Sequence, residues 1–282
     1  MPINIPVSDQ LTYSTIRIEC ELQDGNIGTG TGFFFTFTLT DNKSVPAIVT
    51  NKHVIEGAKQ GKFHFNLADE NGQPLKATHT SFVINNFQAA WIPHPDNDVD
   101  LCVMPIAPLL LQAEQQGKKI FFIALDKSLI LNPDEVSDLI AFEEIIMIGY
   151  PNGIWDSVNN MPIIRKGITA THPNLDYNGK MEFMIDAACF PGSSGSPVYL
   201  FNLGGYTTKA GGTVLGGARI KLLGILYAGP QHTATGEIEV VNVPTQQKVV
   251  AFSRIPNNLG LVIKSQRLLD FYEIFQQLTS KE

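Results

Sequence analysis

The 282-residue chain is short of cysteine, of basic clusters and of long apolar runs, and each shortage excludes something. Its three cysteines, Cys20, Cys102 and Cys189, sit singly in apolar stretches without CxxC spacing. So sparse and odd a set builds neither a disulfide framework nor a zinc site, and it points to a reducing cytoplasm. The six histidines are scattered without ligand spacing, and no metal or other cofactor is expected. No block of Lys and Arg stands out in a chain of net charge −7, which argues against nucleic acid or an anionic membrane as partner. A membrane helix needs about 18 consecutive apolar residues. The longest such run, Leu101 to Leu111, is interrupted by Pro105 and Pro108. Residues 1–7 carry neither the basic nor the apolar part of a secretory signal. The glycines of Gly28-Thr29-Gly30-Thr31-Gly32 lead into a strand-like run with no Lys-Ser/Thr after them, so a phosphate loop is not expected either.

What the chain does have is short strand patterns separated by turns. Thr15 to Leu22 alternates apolar and polar residues, the mark of a half-buried strand, and Gln23-Asp24-Gly25-Asn26 turns it back. Further strand patterns follow at Phe33–Phe37, Val45–Thr50, Phe63–Leu67 and Phe82–Phe87, with a hairpin turn at Glu70-Asn71-Gly72. Residues 110–119 read as a short helix or crossover and divide the chain. Beyond them lie strands at Ile163–Ala170, Met181–Ala187, Pro197–Phe201, Leu222–Gly229 and Val249–Ile255, and the stretch from Gly204 to Gly217 reads as an exposed hairpin. Ser265 to Leu278 places apolar residues at helical spacing, with Ser265 as N-cap. The expected fold is all-β, two antiparallel six-stranded barrels and a C-terminal helix. The expected units are 1–125, 126–262 and 263–282.

Three places can carry chemistry. The turn Phe190-Pro191-Gly192-Ser193-Ser194-Gly195-Ser196-Pro197 flanks a serine with glycines, which reach backbone angles closed to other residues and leave no Cβ in a substrate's way. A serine nucleophile needs its hydroxyl held clear of the chain and N–H groups aimed at the oxyanion it will create. Ser194 is therefore the candidate nucleophile, with the N–H groups of Gly192 and Ser194 as oxyanion donors. His53 stands on a short turn after the strand ending at Thr50. Asp96, Asp98 and Asp100 crowd the entrance to a buried strand; Asp98, at the head of the apolar run, is the candidate carboxylate for His53. Asp100 shares its face one step deeper, and His94 is a candidate to help position Asp98.

The order His53, Asp98, Ser194 is that of chymotrypsin-type enzymes. Four stretches resemble the trypsin-like (chymotrypsin-fold) serine peptidases, in particular the prokaryotic HtrA/DegP-type branch: Gly30–Phe34, Val49–Val54, Asp98–Val103 and Asp186–Pro197. The resemblance spans about residues 13 to 262 and implies a serine endopeptidase acting on proteins or peptides through an acyl-enzyme. It implies that Ala188, Cys189 and Phe190 surround the pocket for the residue before the scissile bond (P1), and that Tyr227, Ala228 and Gly229 form the edge that pairs with substrate backbone. With Ala188 where trypsin carries a carboxylate, P1 is expected to be small or medium and apolar. Ser193 and Ser196 depart from the usual Asn or Asp and Gly, which leaves the rigidity of the loop around Gly192 open. There is no PDZ-like segment and no Ile-Val-Gly-Gly start. The competing readings are a latent protease switched on by a partner protein and a catalytically silent binding module of the same fold.

Overall fold

Strand β1 (Thr15–Leu22) points Ile16, Ile18 and Cys20 into a core and Arg17, Glu19 and Glu21 outward, as its alternation requires. Asp24 accepts the N–H of Asn26 at 3.0 Å and Gly25 takes a φ of +82°, closing the turn into β2 (Ile27–Thr38). In this computed structural model residues 5–40, 43–229, 231–238, 249–256 and 258–280 are described, the strands 231–238 and 249–256 by their backbone only.

The first half continues with β3 (Ser44–Thr50), β4 (Ala58–Ala68), β5 (Pro74–Asn85), β6 (Ile92–Pro93), β7 (Cys102–Pro105) and β8 (Ile120–Phe121). They form one antiparallel sheet in the order β5-β4-β1-β2-β3-β7-β6, with β8 on the side of β4. Where six strands were expected, the described residues of this half form eight, and no ladder joins β6 to β5, an arrangement compatible with the expected pair of barrels. The last strand is two residues long and contains Pro93, which has no N–H to extend a ladder.

The second half is the expected closed barrel of six strands. Its members are β9 (Glu144–Gly149), β10 (Ile163–Thr169), β11 (Glu182–Asp186), β12 (Pro197–Asn202), β15 (Arg219–Ala228) and β18 (Leu259–Lys264), in the cyclic order β10-β11-β18-β15-β12-β9. The exposed hairpin is β13 (Gly205–Thr207) with β14 (Thr213–Leu215), and β16 (Gln231–Ile238) pairs with β17 (Val249–Pro256).

Among the described residues there are five short α-helices: α1 (Val7–Tyr13) before the first strand, α2 (Lys52–Ile55), α3 (Ala107–Gln115) and α4 (Pro133–Ser137) between strands, and α5 (Phe271–Thr279) after the last. No helix is long and apolar enough to cross a membrane among the described residues. The C-terminal element begins as a 3₁₀ turn over Ser265–Asp270 whose N-cap position is Lys264, so the expected cap at Ser265 is corrected: Ser265 lies one residue inside the turn and its buried hydroxyl makes no hydrogen bond.

Among the described residues three apolar cores organise the structure. One fills the first sheet around Ile18, Phe34 and Phe63, and another fills the barrel around Ile145, Phe183 and Val262. The third joins the halves: Phe33, Phe35 and Phe37 on the other face of β2 pack with Ile148, Tyr199 and Ile225 of the barrel and with Leu268, Phe271 and Phe275 of the C-terminal helix. Because β2 is buried on both faces, it reads as a continuous apolar run and fastens the two halves rigidly.

Candidate active site

The histidine is positioned by the pairing of β3 with β7. Thr50 lies opposite Cys102 in that antiparallel ladder. Continuing the register brings Asp100 alongside the turn that follows β3, where α2 carries His53. Buried Asn51 ties the two segments together, its Nδ2 donating to the Asp100 carbonyl at 2.8 Å. Val54 of the same turn seats on Gly30, where a Cβ would stand 2.3 Å from Val54 Cγ1. The result is a two-point hold. The His53 backbone N–H donates to Asp100 Oδ1 at 3.1 Å, and the ring Nδ1 lies 2.5 Å from Asp100 Oδ2. That contact sets Nδ1 as the protonated nitrogen and leaves Nε2 free to accept.

The acid beside His53 is therefore Asp100, not Asp98. Asp98 is exposed, its N–H donates to Asp96 Oδ1 at 3.0 Å, and its side chain lines a different cleft with Lys180, Glu182 and Arg267. The reason is that the chain stays in turns through Asp98, with the Val99 N–H bonded to the Asp96 carbonyl, and enters β7 only at Cys102. His94 does not hold Asp98 either. Its buried Nδ1 accepts the Asp96 N–H at 3.0 Å, so Nε2 carries the proton toward Asp270 Oδ2, also 3.0 Å away. It ties the acidic loop to the start of α5.

Ser194 comes from the barrel, on the loop between β11 and β12. Gly192 and Gly195 have φ of +86° and +87°, in the left-handed region that favours glycine. Space demands glycine as well. A Cβ on Gly195 would lie 1.9 Å from the Thr31 carbonyl oxygen, and one on Gly192 would lie 2.6 Å from that of Tyr150. The loop is closed on itself by Ser193 N–H to Phe190 O and Ser196 N–H to Ser193 O, each 3.0 Å, and is tied to β15 by Gly195 N–H to Leu226 O at 2.8 Å. Among the described residues, the N–H groups of Gly192 and Ser194 have no protein acceptor. The Ser194 hydroxyl makes a long bond, 3.4 Å, to the Tyr227 carbonyl.

These parts meet at one cleft of about 520 Å³ between the halves, lined by His53, Gly192 and Ser194 and by Cys189, Phe190, Tyr227, Ala228 and Gly229. Of the residues expected around a substrate, Ala188 alone is not in its lining. Burial pushes the Cys189 thiol up to about 11, so it is an apolar wall and not a second nucleophile. Burial, then the Glu182 carboxylate that accepts the Tyr227 O–H at 2.9 Å, raises the Tyr227 phenol far above its usual range. Among the described residues no group of three His, Cys, Asp or Glu side chains is placed to hold a metal ion.

Two positions of the site were not singled out in the sequence. Asn152, at a φ of 52°, donates its N–H to the Pro191 carbonyl at 2.5 Å, and Thr31 is buried against the serine loop. An Asn after Pro151 in a turn was the visible signal for the first; nothing local announces the second.

A cleft between two β-lobes, with an acid-held imidazole on one and a glycine-framed serine on the other, defines the trypsin-type class of serine hydrolase. The model of the trypsin-like peptidase domain family matches residues 30–204, and the chain belongs to that family of serine-type endopeptidases. No curated protein matches the chain. Among solved structures it is similar to the HtrA-type protease AlgW with a tripeptide, at 15% identity and a TM-score of 0.50. That match covers 95% of this chain and 61% of the other, so the chain spans less than two thirds of AlgW. The serine endoprotease from Yersinia pestis matches at 15% identity and a TM-score of 0.46, over 96% of this chain and 67% of that one. The active form of the Rv3671c protease from M. tuberculosis matches at 12% and 0.44, over 95% and 82%. At 15% identity the likeness to AlgW is one of fold.

Proposed function

We propose that the chain cleaves peptide bonds within proteins or peptides, using Ser194 as nucleophile, His53 as general base and acid, and Asp100 as the group that orients His53. The observation that carries this reading is the two-point hold of Asp100 on His53 at the cleft that Ser194 also lines. In the first half-reaction Ser194 Oγ attacks the scissile carbonyl carbon while His53 Nε2 takes its proton. The carbonyl oxygen becomes an oxyanion facing the N–H groups of Gly192 and Ser194. Collapse breaks the C–N bond, and His53 returns the proton to the departing amine. Water then attacks the acyl-Ser194 ester by the same steps, releasing the acid and restoring the serine. The Asp100 carboxylate stabilises the imidazolium.

A small or medium apolar P1 residue fits the lining, where Cys189, Phe190, Ala228 and Gly229 present little polarity and Ala188 supplies no carboxylate. Three buried thiols suit a reducing, cytoplasmic setting. Labelling with a fluorophosphonate probe tests the core of the proposal: wild type should label on Ser194, and Ser194→Ala should not label at all. Failure of the wild type to label would overturn it.

A second reading, a latent protease triggered by a partner, has one observation in its favour. The Ser194 hydroxyl is bonded to the Tyr227 carbonyl, which must be given up before His53 can take its proton. Full-rate cleavage by the purified chain alone would dismiss it.

A further inference from the structure

We propose that Thr31 is the positioning residue of the oxyanion hole, its buried hydroxyl holding the Gly192–Ser194 segment in the shape that aims both N–H donors into the cleft. The inference rests on the peptidase reading of the site. Thr31 belongs to β2 of the first half, yet every polar group it has is spent on the parts of the site or their supports. Its hydroxyl accepts the Tyr150 N–H at 3.0 Å and donates to the Gly192 carbonyl at 2.8 Å. Its own N–H donates to the Ser194 carbonyl at 2.9 Å, and its carbonyl accepts the Thr50 hydroxyl at 2.7 Å. Thr50 is the last residue of the strand that delivers the His53 turn, and Tyr150 follows β9 of the barrel. Thr31 is fully buried, so water does not substitute for any of these bonds.

The need for such a hold is local. Gly192, at a φ of +86°, is the residue whose rotation would turn its N–H away from the cleft, and glycine resists rotation least of all residues. The peptide before it is pinned by Asn152 N–H to the Pro191 carbonyl. The peptide after it is held at its N–H end by Ser193 N–H to Phe190 O at 3.0 Å, and at its carbonyl end by the Thr31 hydroxyl. The Ser193 side chain adds only a 3.5 Å bond from the Phe190 N–H, so the side-chain brace of this carbonyl comes from the other lobe. Without the hydroxyl, the Tyr150 N–H and the Gly192 carbonyl would both be buried and unpaired, and rotation at Gly192 relieves the second of these.

The test compares Thr31→Val, which keeps the shape and removes the hydroxyl, with Thr31→Ser, which keeps the hydroxyl. Thr31→Val should lower kcat by about 10²–10³-fold, the loss typical of a missing oxyanion donor, with KM changed less than about threefold and a matching loss of affinity for a peptide trifluoromethyl ketone. Thr31→Ser should stay within about fivefold of wild type in kcat. Amide hydrogen exchange over residues 190–196 should quicken at least tenfold in Thr31→Val and not in Thr31→Ser, a readout that needs no turnover and so still decides if the wild type proves inert. A valine variant with wild-type kcat, a loss confined to KM, or unchanged exchange overturns the inference. If valine does not fold, Thr31→Ala against Thr31→Ser decides by the same readouts; failure of both Val and Ala to fold would make Thr31 a packing residue and overturn it too.

Discussion

Asp100 grips His53 with both carboxylate oxygens, Oδ2 on the ring and Oδ1 on the backbone N–H of the same residue. A carboxylate engaged in this way cannot drift from the imidazole without breaking two bonds, so ring and acid move as a unit. The neighbouring acids have other engagements: Asp96 with Arg267, and Asp98 with the second cleft.

Asp100→Asn should reduce kcat on a peptide substrate by about 10⁴-fold, as expected when a triad acid is neutralised and the wrong tautomer is favoured. Asp98→Asn should remain within about threefold of wild type. Steady-state kinetics on both variants checks the assignment, and the reverse ranking would return the role to Asp98.

P1 selectivity follows from the cleft wall of Cys189, Phe190, Ala228 and Gly229. A P1-scanned peptide library should show Ala, Val or Leu cleaved at least tenfold faster than Arg or Lys, about the discrimination that buried apolar contacts supply. Preference for basic P1 would contradict it.

Gly195→Ala should destabilise the protein by about 3 kcal/mol or more, because it combines a left-handed φ with a Cβ driven into the Thr31 carbonyl. Chemical denaturation measures this; a midpoint unchanged from wild type would mean that the loop can shift at no cost.

Buried Glu143 bonds Arg219, whose guanidinium also lies 4.4 Å from the centre of the Tyr206 ring. Arg219→Met leaves that carboxylate buried without a cation, with only the Ile140 N–H still donating to its Oε1, and a loss of about 3 kcal/mol is expected. Thermal and urea unfolding of the variant check the figure.

His64 gives stability a pH dependence. Burial first, then the positive charge of Lys62 and Arg17 and the nearby His79, hold it down to about 4 against its usual 6.5. Glu19 Oε1, 3.6 Å from Nε2, and the Trp155 ring, 4.9 Å away, complete its surroundings. Below pH 6.5 the unfolded chain binds a proton that the folded chain refuses until about pH 4, so this group lowers stability as pH falls through that window and adds no further change below it. Between pH 7 and 5 the wild type should lose about 4–8 °C more in Tm than His64→Leu, the shift that a loss of about 2 kcal/mol produces in a chain of this size. Parallel slopes for the two would remove His64 from the account.

Much of this was legible in the chain itself. Period-two alternation marked the strands, the Gly-framed serine marked the loop at Ser194, and a histidine just past an apolar strand marked the turn at His53. These signals are local: they reflect which side of a strand meets water and which residues tolerate unusual backbone angles. What the local pattern misjudged was where β7 begins. Asp98 looks like the head of the apolar run, but the chain is still turning there, so a choice between acids two residues apart went to Asp98.

Composition, strand pattern and the order of histidine and serine were determined by the sequence alone, because each is written in neighbouring residues. Only the tertiary structure decided that Asp100 reaches His53, that Pro93 leaves the first sheet open, and that Thr31 meets a loop 161 residues further along the chain. Each depends on ladder register or on lobe-against-lobe packing, which bring together groups whose sequence neighbours carry no sign of the encounter.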